Sequence, residues 1–290
     1  MSVLRKKIKA GEFVVTCELN PQKGGDFGEL LEAASSMRGR VDAFNVTDSH
    51  AAVMRQSPLA LCLRLKDAGL EPVYQLTCRD RNRIALQSDL LAAAALGIKN
   101  VLALTGDHPL LGDHREAKPV FDLDSVQLLS VFSAMRGGKD MRGHSLSGAS
   151  PDFFCGAVVN PGADPQELEL MKMAKKAAAG AEFFQTQAVF DAESFAAFMR
   201  RKPVSDSRVL AGILPLRSAR TARYLNRRVP GVNVPERLIK EIESSGDNEN
   251  AAEKIFSRLI GEIKPMCAGI HLMPAGWFSI VPRLLEAAGR

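Results

Sequence analysis

Short runs of apolar and β-branched residues recur along the chain, and segments with helical periodicity lie between them. Alternating strands and helices predict parallel strands joined by right-handed crossovers. Eight such units in 290 residues fit one closed α/β barrel, a (β/α)8 TIM barrel, formed as a single domain over residues 1–290. The predicted strands are Phe13–Cys17, Val41–Val46, Pro72–Leu76, Asn100–Leu104, Phe153–Val159, Glu182–Thr186, Val209–Leu214 and Ala268–Leu272.

Two stretches are longer than the connections of a barrel require. Asp107–Asp124 follows the fourth predicted strand, and Val229–Asn250 precedes the last helical segments. The second stretch contains VPGVNVPERLIKEIES, which predicts a turn and then an extra amphipathic helix before the last strand, with Pro235 near its first turn. Arg136–Pro151 is rich in Gly and Ser and predicts a flexible connection on the opposite face.

The composition is that of a soluble globular protein, with 46% hydrophobic and 24% charged residues. No stretch approaches about 18 uninterrupted apolar residues, and the N-terminus has no apolar signal region, so neither membrane insertion nor export is expected. The five cysteines are an odd number without CxxC spacing, which argues against a disulfide framework or a zinc site. We therefore expect a cytoplasmic protein with reduced thiols.

The net charge of +5 suits an anionic partner. The basic residues are scattered along the chain without interleaved aromatic residues, which argues against nucleic-acid binding. A polyanionic small molecule would match the charge equally well.

Polar residues gather at the predicted C-terminal ends of the strands, where (β/α)8-barrel enzymes build their active sites. The packing of a barrel interior does not need these groups. They are Glu18, Asn45, Thr47, Asp48, Gln75, Thr77, Thr105, Gly106, Asp107, Asn160, Gln185, Gln187 and His271.

Glu18 and the turn after the fourth predicted strand suggest specific chemistry. Glu18 directly follows the apolar run FVVTC, so we expect desolvation to raise the pKa of its carboxyl and make it a candidate acid. A loop-anchoring glutamate is the alternative. Thr105, Gly106 and Asp107 form a glycine turn that lets the backbone approach a ligand while Asp107 points across the mouth; a plain turn is the alternative here.

Two further groups of residues are candidates for binding phosphate or a metal ion. Three arginines in the segment CRDRNR could bind phosphate, whereas two histidines and an aspartate in a long loop lack the rigid spacing of a metal site. No GxGxxG follows the first strand and no P-loop motif occurs, so neither nucleotide fingerprint is expected. The residues are Arg79, Arg81 and Arg83 in the first group and His108, Asp113 and His114 in the second.

Taken together, the strand-end motifs resemble those of the methylenetetrahydrofolate reductase family, in its short bacterial form. The resemblance runs from about Phe13 to the final helix and rests on the pieces CELNP, NVTD, QLTCRD, LTGD, AGAEFFQTQAVFD and GILPL. Their order and spacing are more specific than any single piece. The resemblance implies a flavin-containing (β/α)8 barrel in which hydride passes from a reduced nicotinamide to flavin and then to the folate methylene carbon.

The resemblance also implies roles for individual residues. Glu18 would be the general acid that protonates the folate nitrogen, and Asp107 would hold the folate ring and tune the flavin. Gln187 matches the folate-binding glutamine, with Gln185 beside it as a second substrate-binding residue. The positions that would line the flavin are Thr47, Gln75, Thr105, Gly106, Asp107, Phe121, Asn160, Glu169 and Lys176, of which Lys176 would reach the phosphates of FAD.

The sequence departs from the family in one motif. Better-known bacterial members carry an aromatic residue after GILP that stacks on nicotinamide or folate, whereas this chain has Leu216-Arg217-Ser218-Ala219. The segments CRDRNRIALQSDLL and GDHREAKPVFDLDS resemble a branch of anaerobic one-carbon metabolism, in which a partner protein can supply electrons and FMN can replace FAD. The resemblance thus implies FAD or FMN, with NADH, NADPH or a partner protein as donor.

The leading hypothesis is a flavin-dependent reductase that converts 5,10-methylenetetrahydrofolate to 5-methyltetrahydrofolate, a step toward methionine biosynthesis. Two alternatives use the same motifs. One is a methyl-transferring protein without flavin that serves a corrinoid partner, and the other is a flavin- or folate-binding subunit of a larger electron-transfer complex. Because a closed barrel has no free sheet edge, a homo-oligomer would have to use helices or loops.

Overall fold

The chain folds into a closed barrel of eight parallel strands, each paired with the next and the last paired with the first. The structure, a computed structural model, describes residues 1–229, 231–246 and 248–290. Each predicted strand overlaps one observed strand, so the (β/α)8 prediction is confirmed. The strands are β1 Val14–Leu19, β2 Ala43–Val46, β3 Pro72–Thr77, β4 Asn100–Leu104, β5 Phe154–Val159, β6 Phe183–Ala188, β7 Arg208–Ile213 and β8 Gly269–Leu272.

Helices surround the barrel and connect its strands. The extra helix predicted before the last strand is confirmed as α9, and Pro235 is its N-cap residue. Pro230 and Asp247, which belong to the same long stretch, lie outside the described residues. The helices are α1 Val3–Lys9, α2 Gly28–Ser36, α3 Pro58–Asp67, α4 Arg83–Ala95, α5 Ser125–Arg136, α6 Gln166–Ala178, α7 Ala192–Arg201, α8 Ala219–Arg228, α9 Glu236–Ser244, α10 Glu249–Ile263 and α11 Val281–Ala287.

The lower half of the barrel interior is apolar and is closed by α1. Side chains alternate along each strand, so every second residue points inward. Leu4 and Ile8 of α1 pack into the same cluster as these inward residues, which closes the N-terminal end of the barrel. The inward residues of this cluster are Val14, Ala43, Val73, Leu102, Phe154, Phe183 and Leu210.

The outer faces of the strands pack against the helices. Cys17 of β1, Tyr74 of β3 and Phe184 of β6 are buried in this larger core. Because the apolar cluster and α1 fill one end of the barrel, the polar groups of the strands collect at the other end, the C-terminal mouth. No helix among the described residues is long and apolar enough to span a membrane.

Candidate functional site

Four buried polar side chains form a hydrogen-bonded layer inside the barrel, directly above the apolar cluster. The amide nitrogen of Gln185 donates to Thr16 Oγ1 at 3.1 Å and to Asn45 Oδ1 at 3.1 Å, and Asn45 Nδ2 donates back to Gln185 Oε1 at 2.8 Å. Thr16 Oγ1 lies 2.9 Å from His271 Nδ1. The layer joins β1, β2, β6 and β8, so the structure places Gln185 inside the barrel, below its mouth.

Glu18 lies one inward step above this layer on β1. Its side chain is 12% exposed, and its Oε2 atom is 3.9 Å from His271 Nε2. Its other oxygen, Oε1, accepts a hydrogen bond of 3.2 Å from Asn20, which in turn accepts one of 2.8 Å from the hydroxyl of Thr47. The carboxyl group is therefore held at the floor of the mouth by residues from β1, the loop after β2 and β8.

The groups around Glu18 determine whether its pKa is raised or lowered. Burial raises the pKa of this carboxyl, but the interaction with His271 and the positive charge of His50 lower it, and the lowering influences are larger. The pKa of Glu18 therefore lies below its ordinary value in this structure. The sequence-based expectation of a raised pKa is wrong here, because it considered the apolar run before Glu18 and not the two histidines that the fold brings to it.

Asp48 connects the ends of β2 and β3. Its buried carboxylate accepts hydrogen bonds from the backbone N–H and the hydroxyl of Thr77 at 2.9 and 2.8 Å, and it pairs with Arg81 at 2.7 Å. Arg79 and Arg83 likewise bind carboxylates, those of Asp80 and Asp122. In this structure the three arginines proposed as phosphate binders thus brace the loops around the mouth.

The turn after β4 requires a glycine for steric reasons. Gly106 has φ of +92°, and a Cβ atom at this position would lie 3.1 Å from the Cβ atoms of Thr77 and Arg79. Asp107, the next residue, is exposed at the rim of the mouth. Thr105 Oγ1 accepts a 3.2 Å hydrogen bond from the backbone N–H of Ser125, which fixes the start of α5.

Three of the predicted flavin-lining residues form a cluster at the end of β5. The backbone N–H of Asn160 donates to Glu169 Oε1 at 3.0 Å, and Lys176 Nζ donates to the carbonyl of Val158 at 2.6 Å. Burial lowers the pKa of the Lys176 ammonium group. Asn160 also donates through its side chain to Gly231. The cluster attaches α6 to β5, so these polar groups bind protein atoms in this structure.

The remaining predicted site residues differ in their exposure. Gln187 is exposed near the C-terminal end of β6, where the pairing of β6 with β7 is irregular between Gln185 and Ala188. Gln75 points inward from β3 and is 6% exposed. Phe121 has φ of +39°, and its ring stacks on His108 with 6.1 Å between centroids.

The loops around the mouth also concentrate backbone strain. In the part of the chain that the structure describes, five residues other than glycine have positive φ angles, and all five lie in loops that follow strands. Such conformations are costly and are typical of functional sites. The residues are Ser49, Ala51 and Ala52 after β2, Phe121 after β4 and Ala275 after β8.

Sequence reasoning missed two contributors to this site and the contacts of a third. Thr16 could have been found, because it lies two residues before Glu18 and therefore on the same face of β1. His50, in the loop after β2, lowers the pKa of Glu18, and no motif in the sequence around His50 indicated this. His271 was recognised as a strand-end residue, but nothing in the sequence showed that it contacts both Thr16 and Glu18.

The loop residues considered as metal ligands make other contacts. His108 Nδ1 accepts a hydrogen bond from the backbone of Leu110, and Asp113 binds Lys23, His114 and the backbone of Met54. Among the described residues, no three His, Cys, Asp or Glu side chains are arranged to hold a metal ion.

This combination of fold and site defines a class of protein. A closed (β/α)8 barrel with an apolar lower half and a polar, strained C-terminal mouth is the architecture in which barrel enzymes bind their substrates. The fold by itself hosts many activities, so the family has to be established from the sequence.

The sequence profile described as "Methylenetetrahydrofolate reductase" matches residues 3–273. The chain therefore belongs to the methylenetetrahydrofolate reductase family, which confirms the resemblance noted from its motifs. It is 23% identical over 244 residues to a probable methylenetetrahydrofolate reductase (NADPH) of Caenorhabditis elegans, with 83% of this chain and 33% of the relative covered. The chain spans about a third of the length of this relative and of two yeast relatives.

A bacterial relative is closer in length. The 5,10-methylenetetrahydrofolate reductase of Pectobacterium carotovorum subsp. carotovorum is 28% identical over 232 residues, which cover 76% of this chain and 71% of the relative.

Solved structures match the fold. A Clostridium thermocellum protein that binds two copies of 5-methyl-5,6,7,8-tetrahydrofolic acid superposes with a TM-score of 0.64 and 14% identity, covering 99% of this chain and 98% of that chain. A 2,3-dimethylmalate lyase superposes with a TM-score of 0.55 and 12% identity, covering 100% of this chain and 85% of that chain. At such identities the likeness shows the fold alone.

Proposed function

We propose that this protein is a flavin-dependent reductase that converts 5,10-methylenetetrahydrofolate to 5-methyltetrahydrofolate. The observation that carries the proposal is Glu18, a carboxyl group held at the floor of the mouth against His271, in a chain of this family. Hydride would come from NADH, NADPH or a partner protein and would reach the folate methylene carbon through the flavin. The whole described barrel, residues 1–290 with its two gaps, would act as one flavin-binding domain.

The residues around the mouth suit a flavin ring. The side-chain amide of Gln75 faces the barrel interior from β3, and both its N–H and its oxygen can hydrogen-bond the edge of a heterocyclic ring. Gly106 brings backbone to the mouth without a side chain, and Asp107 beside it offers a carboxylate. When bound, the flavin would supply hydride transfer. We infer that Thr47, Thr105 and Phe121 complete its walls.

The phosphates of an FAD require a cation, and Lys176 is our candidate. Its ammonium group binds the carbonyl of Val158 in this structure, and its burial lowers its pKa. An anionic phosphate would stabilise the charged form and offer a stronger acceptor than a carbonyl. Asn160 and Glu169 would then position α6 beside the cofactor. Binding of FMN would depend less on Lys176 than binding of FAD, so substitution of Lys176 would distinguish the two cofactors.

Glu18 would transfer the proton that the reaction needs. Protonation of the folate nitrogen opens the ring to an electrophilic iminium, and this iminium then accepts hydride to become a methyl group. The lowered pKa of Glu18 leaves it ionised near neutral pH in the free protein. A bound ring that covers the carboxyl increases its burial and raises its pKa. His271, 3.9 Å away, is placed to return a proton to Glu18.

The folate ring would bind above Glu18, between Asp107 and Gln187. Both side chains are exposed at the rim, where the carboxylate of Asp107 can accept hydrogen bonds from the polar edge of a pterin and the amide of Gln187 can donate or accept them. Gln185 would act from below, because its contacts with Asn45 and Thr16 hold the polar layer together. We place the protein in the cytoplasm and in one-carbon metabolism that leads to methionine.

A visible spectrum of the purified protein tests the proposal. We expect a flavin spectrum that bleaches on anaerobic addition of NADH and recovers when methylenetetrahydrofolate is added. A protein without flavin and without affinity for folates would refute the proposal. If NADH leaves the flavin oxidised but a chemically reduced flavin is reoxidised by the folate, the reductase receives its electrons from a partner protein.

The second candidate function is a folate- and flavin-binding subunit that works only within a larger electron-transfer complex. The segment after β7 favours it, because Ala219 stands where an aromatic residue would stack on nicotinamide, and Ala219 is 2% exposed. Turnover of the isolated chain with NADH or NADPH alone would exclude this candidate.

A further inference from the structure

The helix α4 is apolar on two opposite sides. One side packs on the barrel through the buried residues Leu86, Leu90 and Ala93. The other side faces solvent with residues at spacings of four, three and four, which lie on one line along the helix. On this line Ile84 is 74% exposed and Leu91 is 44% exposed. The residues of the line, which we call the α4 face, are Ile84, Ser88, Leu91 and Ala95.

The α4 face carries no charge. The two charged residues of α4 lie to the sides of the face and form ion pairs at 2.8 Å, Arg83 with Asp122 and Asp89 with Arg81. The exposed residues of the next helix, α5, are likewise uncharged. A surface helix normally carries polar and charged residues opposite the core, and a helix that is apolar on all sides is usually covered by other protein. The barrel covers only one side of α4.

The charge of the chain favours a second copy as the cover of the α4 face. With a net charge of +5, two copies repel each other wherever their charged surfaces meet. A contact through a neutral face avoids this repulsion. An acidic partner protein would instead be attracted to the basic surfaces of the molecule.

The order of residues along the α4 face is self-complementary. In a two-fold contact the same face serves both copies. When α4 pairs antiparallel about the midpoint of the line, Ile84 lies opposite Ala95 of the second copy, and Ser88 lies opposite Leu91 of the second copy. A large side chain then faces a small one in every pair, so the two helices can approach closely. The hydroxyl of Ser88 can bond to a carbonyl of the preceding turn, which satisfies it in the contact.

We propose that the α4 face forms a two-fold symmetric homodimer, in which α4 pairs antiparallel with α4 of the second copy. The line is about 17 Å long at 1.5 Å per residue, and α4 and α5 side by side are about 20 Å wide. This area is below the roughly 600 Å² per partner of the smaller standard interfaces, so we expect a Kd on the order of 10 µM. Because α4 runs alongside the barrel, the two mouths point in opposite directions and stay open. The dimer therefore does not depend on the proposed function.

Analytical ultracentrifugation of the purified full chain tests the proposal. Between about 1 and about 200 µM, a range that includes the expected Kd, the mass should rise from 31.4 kDa toward twice that value. High salt should preserve or strengthen the dimer, because it screens the repulsion between the two net charges. Leu91→Glu brings like charges into the contact and should weaken dimerisation at least about tenfold. The matched control is Leu168→Glu, on α6, where Leu168 is 54% exposed; it should dimerise like the parent protein.

Cross-linking with a short bis-maleimide tests the antiparallel pairing. Ile84→Cys alone and Ala95→Cys alone should not cross-link, because the pairing separates identical positions by about 17 Å along the helix. An equal mixture of the two variants should give cross-linked dimers. The parent protein is the control for the native cysteines, which are buried or half-buried.

Three results would overturn the inference. The first is a parent protein that stays monomeric over the whole concentration range. The second is a dimer that Leu91→Glu leaves intact, since the contact would then lie on another face. The third is cross-linking of Ile84→Cys with itself, which would show a parallel pairing. None of these results would affect the proposed function, because the mouth lies outside the contact.

Discussion

Glu18 lies at the point where the apolar β1 meets the polar mouth of the barrel. We predict that Glu18→Gln keeps the flavin and its reduction but slows reoxidation of the flavin by methylenetetrahydrofolate about 100-fold or more, because an amide cannot supply the proton. Stopped-flow measurement of the two half-reactions checks this. Glu12→Gln, a change at the opposite end of the barrel, is the control. Equal loss in both half-reactions would argue against the acid role.

His271 should control the pH dependence of this step. The acid role requires protonated Glu18, so the rate of folate reduction falls as pH rises through the pKa of Glu18. The interaction with His271 lowers that pKa, and burial alone would raise it. We therefore predict that in His271→Asn the rate of folate reduction decreases at a higher pH than in the parent protein.

The pH profile of the folate half-reaction provides the measurement. His144→Asn removes an imidazole that is 77% exposed, far from the mouth, and should leave the profile in place. A profile of His271→Asn that coincides with the parent, or that moves to lower pH, would contradict the assigned influence of His271 on Glu18.

The position of the candidate site residues at the mouth was predictable from their place in the chain. Glu18, Asp107 and Gln187 all lie near the C-terminal ends of strands that an apolar pattern marks. The pKa of Glu18 was not predictable, because it depends on His50 and His271 from other elements.

At the scale of elements, the short helix α1 closes one end of the barrel. Its sequence VLRKKIK is dominated by charge, so the apolar pair Leu4 and Ile8 gave no strong local signal, and sequence analysis did not predict the helix. Both residues enter the interior cluster, and Leu4 is fully buried. The helix is ordered because the open end of the barrel needs an apolar cover.

We predict that Leu4→Ala lowers the free energy of unfolding by about 2–5 kcal/mol, since it leaves a cavity in the closed end of the barrel. Urea denaturation followed by circular dichroism gives the value. Val3→Ala, on the neighbouring residue that is 49% exposed, is the matched control and should change the stability by less than about 0.5 kcal/mol. Similar losses in the two variants would show that α1 does not close the barrel.

At the scale of the whole molecule, Asp42 connects segments from distant parts of the chain. Its side chain is 3% exposed and binds Lys7 of α1, the backbone N–H of Val15 and the guanidinium of Arg290. The backbone of Arg290 is held in turn by Arg40. Because these contacts join α1, β1 and the segment after α11, they hold the barrel together near its N-terminal end.

We predict that Asp42→Asn destabilises the fold by roughly 3 kcal/mol, because it leaves two cations near a site that no longer carries a charge. The midpoint of urea unfolding is the measurement. Asp67→Asn removes an exposed carboxylate at the end of α3 and serves as the control. Flavin content should be the same in both variants, since Asp42 lies at the end of the barrel opposite the mouth. An unchanged midpoint in Asp42→Asn would refute its connecting role.

The sequence by itself determined the eight strands and the barrel, and it predicted the mouth as the place of the site, because period-two and helical patterns are local and parallel strands direct their C-terminal ends to one side. It also determined the family, through motifs in a fixed order. Only the tertiary structure decided which polar groups meet: Gln185 with Asn45, and His271 with Glu18. The reason is that such contacts depend on the register and closure of the barrel, which place residues of different strands side by side, and no local pattern encodes that placement.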